Sequence, residues 1–488
     1  HPLRLLRILR TLARYDALQP LEAMLPPRVV RLLTQTFGAG RAPYPPGARL
    51  GERLADALHA LGPSFIKFGQ ALSVRPDLVG GALAEDLGRL RDRLPPFPAA
   101  AARAAITSEL GKPVAELFEQ FEDRPVAAAS IAQVHFARLH DGSEVAVKVL
   151  RPGIEAAFRR DIAHLRWLAS LAERLRPDLR RLRPVRVVDT IAASVELEMD
   201  LRLEAAASSE LVVNMAAVDG FHVPNVEWSH TARRVLTAAR VHGLAIADRA
   251  GLLAAGHALK HLAEQVIRVF LIQALHHGFF HADMHHGNLF VEADGTLTAV
   301  DFGIMGRIDR PTRLFMAEML HAFLVGDWRR AAEVHFAAGY VPATQSVDAF
   351  AQACRSIGEP ILDRPVTEIS IGRLLAQLFQ VTETFAMQTQ PQLLLLQKTM
   401  VTVEGVARTL DPEINFWDAA RPLIVEWMRD NMGPEARVRD AAVDATRILR
   451  RLPTLADSLE RAADLLAADG LRLDPASARM LAAEQARR

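Results

Sequence analysis

Along residues 3–24, Leu5, Leu6, Ile8, Leu9 and Leu12 alternate with Arg4, Arg7, Arg10 and Arg14. This spacing predicts an amphipathic helix. Arginines flanking an apolar stripe suit a helix lying on an anionic membrane surface, and they equally suit a helix packed on its own domain. Helical spacing continues to about residue 115, broken at Pro26-Pro27, within 43–46 and within 95–98. The period then changes. Val134 and Phe136, and after them Val145, Val147 and Val149, alternate with smaller or polar residues, and Asp141-Gly142 between the two runs is a hairpin signal. Helical patterning returns over 155–215, with an arginine-rich break at 177–184. It is followed by a strand at 233–241, a long helix at 249–278, and a hairpin of 289–291 and 296–300 turning at Asp294-Gly295. From about 310 to the end the pattern is helical.

A small β unit with one main helix, then a larger helical unit, predicts an α+β chain of two-lobed, protein-kinase-like layout, mostly helical. The expected parts are a helical N-terminal extension (1–115), an N-lobe (116–240), a C-lobe (241–430) and a helical tail (431–488). Layout alone does not define function.

Composition narrows the picture. Of 488 residues, 50% are hydrophobic and 24% charged, the proportions of a folded globular protein. A single cysteine, Cys354, excludes an intrachain disulfide and a cysteine-built metal site, and fits a reducing compartment. The net charge of +1 separates no classes. The basic residues say more: five of 58 are lysine, namely Lys67, Lys112, Lys148, Lys260 and Lys398. In so arginine-biased a chain, lysine is expected to persist where a compact point charge is needed. No run of about 18 uncharged apolar residues is present, so no transmembrane helix is predicted. The first residues, His1-Pro2, suggest a trimmed version of a longer product.

The chemistry concentrates in a few motifs. In 281–288, Asp283 is followed five positions later by Asn288. A carboxylate there can orient the proton of an attacking hydroxyl, and the asparagine oxygen can hold Mg²⁺. Asp301-Phe302-Gly303 follows across the predicted hairpin, which would bring Asp301 to the same mouth as a second metal ligand. His281 and His285 stand at zinc-ligand spacing, but Ala282 occupies the place of a zinc-protease glutamate, and Gly287 argues against a helix. His281 is therefore expected to brace the loop. In Glu144-Val145-Ala146-Val147-Lys148, Ala146 and Lys148 share a strand face, leaving room for adenine and bringing an ammonium to phosphates. Such a lysine needs a helix glutamate, and Glu204, followed by Ala205-Ala206-Ala207, is the expected partner. No Gly-x-Gly-x-x-Gly precedes the first strand. Instead Val126, Ala127, Ala128, Ala129, Ser130, Ile131, Ala132, Gln133 and Val134 form the candidate nucleotide loop, with backbone N–H groups and the Ser130 hydroxyl as donors.

These motifs together resemble the UbiB family. Lys67-Phe68-Gly69-Gln70, running on to Arg75-Pro76-Asp77, looks like its Lys-x-Gly-Gln signature, and the alanine loop like its replacement for a glycine loop. Glu198-x-Asp200 resembles its acidic motif, and 281–288 with 301–303 its catalytic and metal loops. Gln390-Pro391-Gln392, Gln397-Lys398 and Glu404-Gly405 also follow its pattern. The similarity runs over about 50–417. Two departures are visible: no acidic residue near Ala239 in the hinge, and Met284 and His286 where the family usually has prolines.

The resemblance implies an atypical kinase fold whose N-terminal extension covers the active site, with Lys67, Gln70, Glu198 and Asp200 as gating residues. It further implies ATP and Mg²⁺, slow hydrolysis, and support of ubiquinone biosynthesis. The implied partners are an isoprenoid lipid or quinone precursor, the cytoplasmic side of an inner membrane and other biosynthesis proteins, with no nucleic acid. A hydrophobic C-terminal hairpin common in the bacterial branch is not found in 431–488. The alternatives are a nucleotide-gated lipid-extraction or scaffold protein, and an aminoglycoside- or choline-type phosphotransferase, which the Lys67 motif and alanine loop count against. A quinone hydroxylase is rejected for want of a dinucleotide, iron or haem motif.

Overall fold

The computed structural model describes residues 2–18, 36, 48–73, 79–88, 90, 94–175, 183–362, 381–382, 384–387 and 390–433. The expected breaks at Pro26-Pro27 and 43–46, the Arg75-Pro76-Asp77 end of the lysine motif, residues 177–182 of the arginine-rich break and the tail beyond 433 lie outside the described residues. So do residues 19–24 of the first predicted helix. The described residues up to 424 form one compact unit, and residues 425–433 are the described part of a second.

The extension begins with α1 (Pro2–Arg14), α2 (Leu50–Leu61), α3 (Pro63–Ser73) and α4 (Gly81–Leu87). Its core is Ile8, Ala55, Leu58, Leu61, Phe65, Leu87 and Leu90, with Leu12 packed against it. The apolar stripe of α1 therefore faces its own domain. Arg4 closes that contact: Nε and Nη2 both donate to the Asp161 carboxylate at 2.8 Å, and the guanidinium lies 5.6 Å from the Phe65 ring centroid. This favours the second of the two readings of α1, a helix packed on its own domain. Ile8 is buried, Leu5, Leu9 and Leu12 are half-buried and one of the arginines is already paired, while Leu6, Arg7, Arg10 and Arg14 stay exposed. The glycine of the lysine motif has a packing reason. A Cβ on Gly69 would stand 2.4 Å from Leu90 Cδ1 and 2.8 Å from Leu58 Cδ1.

The N-lobe follows with α5 (Ala99–Leu110), α6 (Val114–Leu117), β1 (Gln120–Phe121), β2 (Ala127–Ala128), β3 (Ala132–Arg138) and β4 (Glu144–Leu150). Then come α7 (Ile154–Leu175), α8 (Pro184–Glu198), α9 (Leu201–Met215), β5 (Phe221–His222) and β6 (Val235–Ala239). The antiparallel sheet runs β1-β3-β4-β6, with β2 also on β3. The expected alternation decides its faces. Val145, Val147 and Val149 bury themselves with Phe97, Ala102, Ile106 and Val114, each buried valine worth about 1.5–3 kcal/mol. The register pairs Val134 with Lys148 and Phe136 with Ala146, so these four share the other face.

The helical stretch expected over 155–215 breaks a second time, at Met199-Asp200. Asp200 leaves the helical region (φ −112°, ψ 93°) and caps α9, accepting from the Arg202 N–H at 3.2 Å. Leu201 N–H donates to Arg233 O at 2.9 Å, which ties the start of α9 to the approach of β6. A single continuous helix through 196–205 is thereby corrected: Glu198 ends α8 and Glu204 sits in the first turn of α9.

The C-lobe contains β7 (Leu244–Ala245), α10 (Arg249–Ala254), α11 (Leu259–Leu271), β8 (Phe279–His281), β9 (Leu289–Val291), β10 (Leu297–Ala299) and β11 (Met305–Arg307). After them come α12 (Arg310–Val325), α13 (Trp328–Ala337), α14 (Val347–Leu362), α15 (Pro391–Leu410) and α16 (Phe416–Met432). The helix expected over 249–278 is interrupted at 255–258, where Gly256 takes φ +85°, and its last turn, 272–277, is π-helical. The predicted hairpin is present as β9 and β10, within a small sheet ordered β5-β10-β9-β7. Two strands without a patterning signal, β8 and β11, pair on either side of it. No described helix is long and apolar enough to cross a membrane.

Candidate active site

Three chain segments converge on Lys148. Strand β4 carries it, its neighbours Val147 and Val149 fully buried on the opposite face. Its Nζ donates to Glu204 Oε1 at 2.8 Å and Oε2 at 2.9 Å, and to Asp301 Oδ1 at 2.9 Å. Glu204 reaches it because α9 buries Leu201, Glu204, Ala205, Ser208 and Leu211, one stripe at helical spacing. Ala205, with no exposed surface, lets the helix approach closely. Asp301 holds φ +62°, a left-handed value that aspartate tolerates better than most residues. Gly303 follows where an added Cβ would meet Asp301 Oδ1 at 3.4 Å and Glu204 Oε2 at 3.9 Å.

The electrostatics are those of one cation between two carboxylates. Burial would lower the Lys148 pKa, but Asp301 and Glu204 outweigh it and the net shift is upward. The Lys148 ammonium holds the Asp301 carboxyl well below the usual carboxylate range. Burial pushes Glu204 up, with Asp301 adding to the push and Lys148 opposing it. Two carboxylates facing one ammonium leave an excess negative charge, which suits a further cation.

The loop between β8 and β9 supplies the rest. His281 is fully buried; its Nε2 donates to Val300 O at 3.0 Å and its Nδ1 accepts from the Asp283 N–H at 3.1 Å. Both ring nitrogens thus brace the loop, and burial keeps the imidazole neutral by lowering its pKa. Asn288 donates through Nδ2 to Asp283 O at 3.0 Å, leaving its Oδ1 without a protein partner among the described residues. His285 Nε2 stands 3.7 Å from Asp283 Oδ2. Helix α15 borders the loop from outside: the Thr399 hydroxyl, whose one proton is shared between Leu395 O at 2.8 Å and Ala282 O at 3.2 Å, touches it, and His286 Nε2 meets Thr409 Oγ1 at 2.9 Å. The sequence reading missed both threonines, and nothing in their local spacing marks them. Among the described residues no group of three or more histidine, cysteine or acidic side chains is arranged to hold a metal by itself.

The alanine loop is a hairpin. Ala127 and Ala128 pair with Val134 and Gln133, and Ala129 N–H donates to Ala132 O around the tip at Ser130-Ile131. No residue of 126–134 takes positive φ, so this loop conformation does not require glycine. Its members divide. Val134 lies on the Lys148 face, whereas Gln133 turns into the core and grips Phe97, accepting its N–H at 2.9 Å and donating to its carbonyl at 3.2 Å. Ile131 and Ala132 join the core below the sheet, and Val126 is exposed. Ser130 is fully buried, its hydroxyl without a partner among the described residues. Arg151 pins the tip, donating from Nε to Ser130 O at 3.3 Å and from Nη2 to Pro95 O at 3.0 Å.

The extension reaches the same place. Lys67 Nζ lies 3.0 Å from Glu198 Oε2, with side chains 12% and 22% exposed, and its charge acts on both Glu204 and Asp301. Gln70 is on the same helix, its carbonyl accepting from Ser73 Oγ at 2.7 Å. Asp200 is taken by Arg202, at 2.9 and 2.6 Å, and by the cap of α9. Of these two acidic residues, Glu198 is thus the one that pairs with the lysine.

A strand lysine held by a helix glutamate, with an Asp-x₄-Asn loop and an Asp-Phe-Gly turn at one mouth, defines a protein-kinase-like fold and cleft. Comparison with known proteins agrees. Residues 89–335 match the ABC1 atypical kinase-like domain and residues 354–415 the UbiB helical domain. The chain is 42% identical over 442 residues to a "Probable protein kinase UbiB" of Marinobacter nauticus, covering 89% of this chain and 80% of that protein. A protein of the same name from Pseudomonas putida is 41% identical over 465 residues, covering 94% and 86%. Among solved structures, the Mycobacterium tuberculosis protein Rv3197, in complex with erythromycin, superposes with a TM-score of 0.53 at 25% identity, covering 73% of this chain and 90% of that one. The chain belongs to the UbiB family of ABC1 atypical kinase-like proteins.

Proposed function

We propose that the chain is an Mg²⁺- and ATP-dependent atypical kinase or ATPase supporting ubiquinone biosynthesis at a membrane surface. The observation that carries this reading is the convergence of Lys148, Glu204 and Asp301 opposite a loop that presents Asp283 and Asn288. The donor set fits a hard cation: the Asn288 Oδ1 and the Asp301 carboxylate are oxygen ligands of the kind Mg²⁺ takes. Mg²⁺, held there, would neutralise phosphate charge. Lys148 would bind phosphate oxygens, with Glu204 fixing its direction. The buried Ser130 hydroxyl, without a partner among the described residues, and the loop backbone fit a ligand with phosphate acceptors. Ala146 and Val134 leave an apolar face for a base. Asp283 would take the proton of the attacking hydroxyl or water. The attacking oxygen bonds to the γ-phosphorus, the bond from that phosphorus to the bridging oxygen breaks, and ADP leaves with the electron pair.

A second reading, a nucleotide-gated lipid-extraction or scaffold protein, is favoured by the Lys67–Glu198 pair. That pair ties a helix absent from the kinase core to the helix that ends beside Glu204. The quinone-precursor partner and the membrane rest on the family resemblance and not on α1, whose Ile8 and Leu12 pack on the extension.

The two readings separate on Asp283. Asp301→Asn is expected to abolish phosphate release under both. Asp283→Asn should cut it by ~10²-fold or more if proton abstraction matters. Near-normal phosphate release by Asp283→Asn would favour the scaffold reading.

A further inference from the structure

Any phosphoryl transfer in this cleft needs positive charge on the side where the γ-phosphoryl group meets Asp283, because charge there grows or shifts as the bond breaks. The loop 281–288 supplies none: it contains no lysine or arginine. Lys148 is already shared between Glu204 and Asp301, and Lys67 is paired with Glu198. One further lysine remains near the catalytic loop. Lys398 precedes Thr399 on α15, and the buried Thr399 hydroxyl lies 3.2 Å from the carbonyl of Ala282, the residue before Asp283. Lys398 makes no ion pair or side-chain hydrogen bond with any described residue, and it is exposed. Protein around it lowers its pKa, and the Asp283 carboxylate, near enough to act on its charge, opposes that shift. It is also one of only five lysines in a chain that otherwise uses arginine.

We propose that Lys398 is a catalytic residue, its ammonium binding the γ-phosphoryl group on the Asp283 side of the cleft. The inference rests on the phosphoryl-transfer reading above and extends it to a helix outside the kinase-like core. In this arrangement α15 does two things. Thr399 and Thr409 touch the loop, and Lys398 supplies the cation that the loop lacks. A lysine suits the task better than arginine, since a compact ammonium can follow a phosphoryl oxygen as it moves.

The test is equilibrium binding of Mg²⁺-ADP and of a non-hydrolysable Mg²⁺-ATP analogue, measured by calorimetry on the wild-type chain, Lys398→Met and Lys398→Gln. The expected result is that both variants bind ADP as the wild type does and lose affinity for the ATP analogue by ~10-fold or more, the scale of one charge-assisted contact. Lys398→Arg should recover much of that affinity. Equal losses for both nucleotides would show a structural role and overturn the proposal. So would unchanged affinity for both in variants that melt like the wild type. A wild-type chain that binds neither nucleotide would overturn the phosphoryl-transfer reading first. If Lys398→Met does not fold, Lys398→Gln decides, because the ratio of the two affinities is read within one variant.

Discussion

Two lysines pair with two glutamates on either side of one helix break. Lys148 comes from strand β4 and meets Glu204 on α9; Lys67 comes from α3 of the extension and meets Glu198 on α8. Both pairs are largely shielded, with side-chain exposures of 18% and 8% in the first and 12% and 22% in the second. They differ in what else each lysine must satisfy. Lys148 also binds Asp301, so its pairing links the N-lobe sheet, α9 and the Asp-Phe-Gly turn in one contact. Removing it leaves two carboxylates facing each other. Lys67 ties down a helix packed on its own small core, and it influences Glu204 and Asp301 only at longer range. The first pair assembles the site. The second pair, on our reading, covers it.

Breaking each pair in turn sharpens the contrast. Lys148→Met should have the largest effect, on the order of 3–5 kcal/mol of stability, the usual cost of stranding a buried partner. Thermal or denaturant unfolding would show it, together with loss of nucleotide binding. Lys67→Met should cost less, about 1–3 kcal/mol, between the surface and buried limits. Its distinguishing sign should be faster amide exchange in α3 and new autophosphorylation, with nucleotide still bound. If Lys67→Met instead abolishes nucleotide binding as Lys148→Met does, the two pairs are not separable and the covering role fails.

The smallest expected effect concerns the loop brace. His281 is buried neutral, its folded pKa below the 6.5 of a free histidine. A group shifted this way supports stability above the unfolded pKa, and that support is lost as pH falls toward the folded value. The melting temperature should therefore decline as pH is lowered below about 6.5, and His281→Asn should flatten that part of the profile. A decline of the same size in His281→Asn would assign it to other groups.

How much of this was legible in the sequence follows from what each signal depends on. Alternation in 145–149 is a local property, and it correctly placed Ala146 and Lys148 on one face. The hairpin of β9 and β10 was readable from Asp294-Gly295, and with it the approach of Asp283, Asn288 and Asp301. The break at Asp200 was also within reach. An aspartate directly before a stripe of Leu201, Ala205 and Leu211 is a cap signal, masked by flanking residues that are good helix formers. Gln133 was counted with the loop, although alternation with Val134 turns it to the opposite face of β3, where it meets Phe97. The packing of Ile8 and Leu12 of α1 had no local signal either: a stripe that joins the core of Phe65 and Leu87 reads the same as one that meets lipid. Thr399 and Thr409 act through contacts more than a hundred residues away, which no spacing rule reaches.

If the charges gathered at Lys148 form a magnesium–nucleotide site, equilibrium binding of ADP with and without the metal tests it most directly. Asp301 and Glu204 leave more negative charge than Lys148 can balance, so a nucleotide phosphate should be admitted only with a cation between it and the carboxylate. Binding should be tight in Mg²⁺ and fall by at least ~10-fold in EDTA. Equal ADP affinity in both conditions would contradict the assignment.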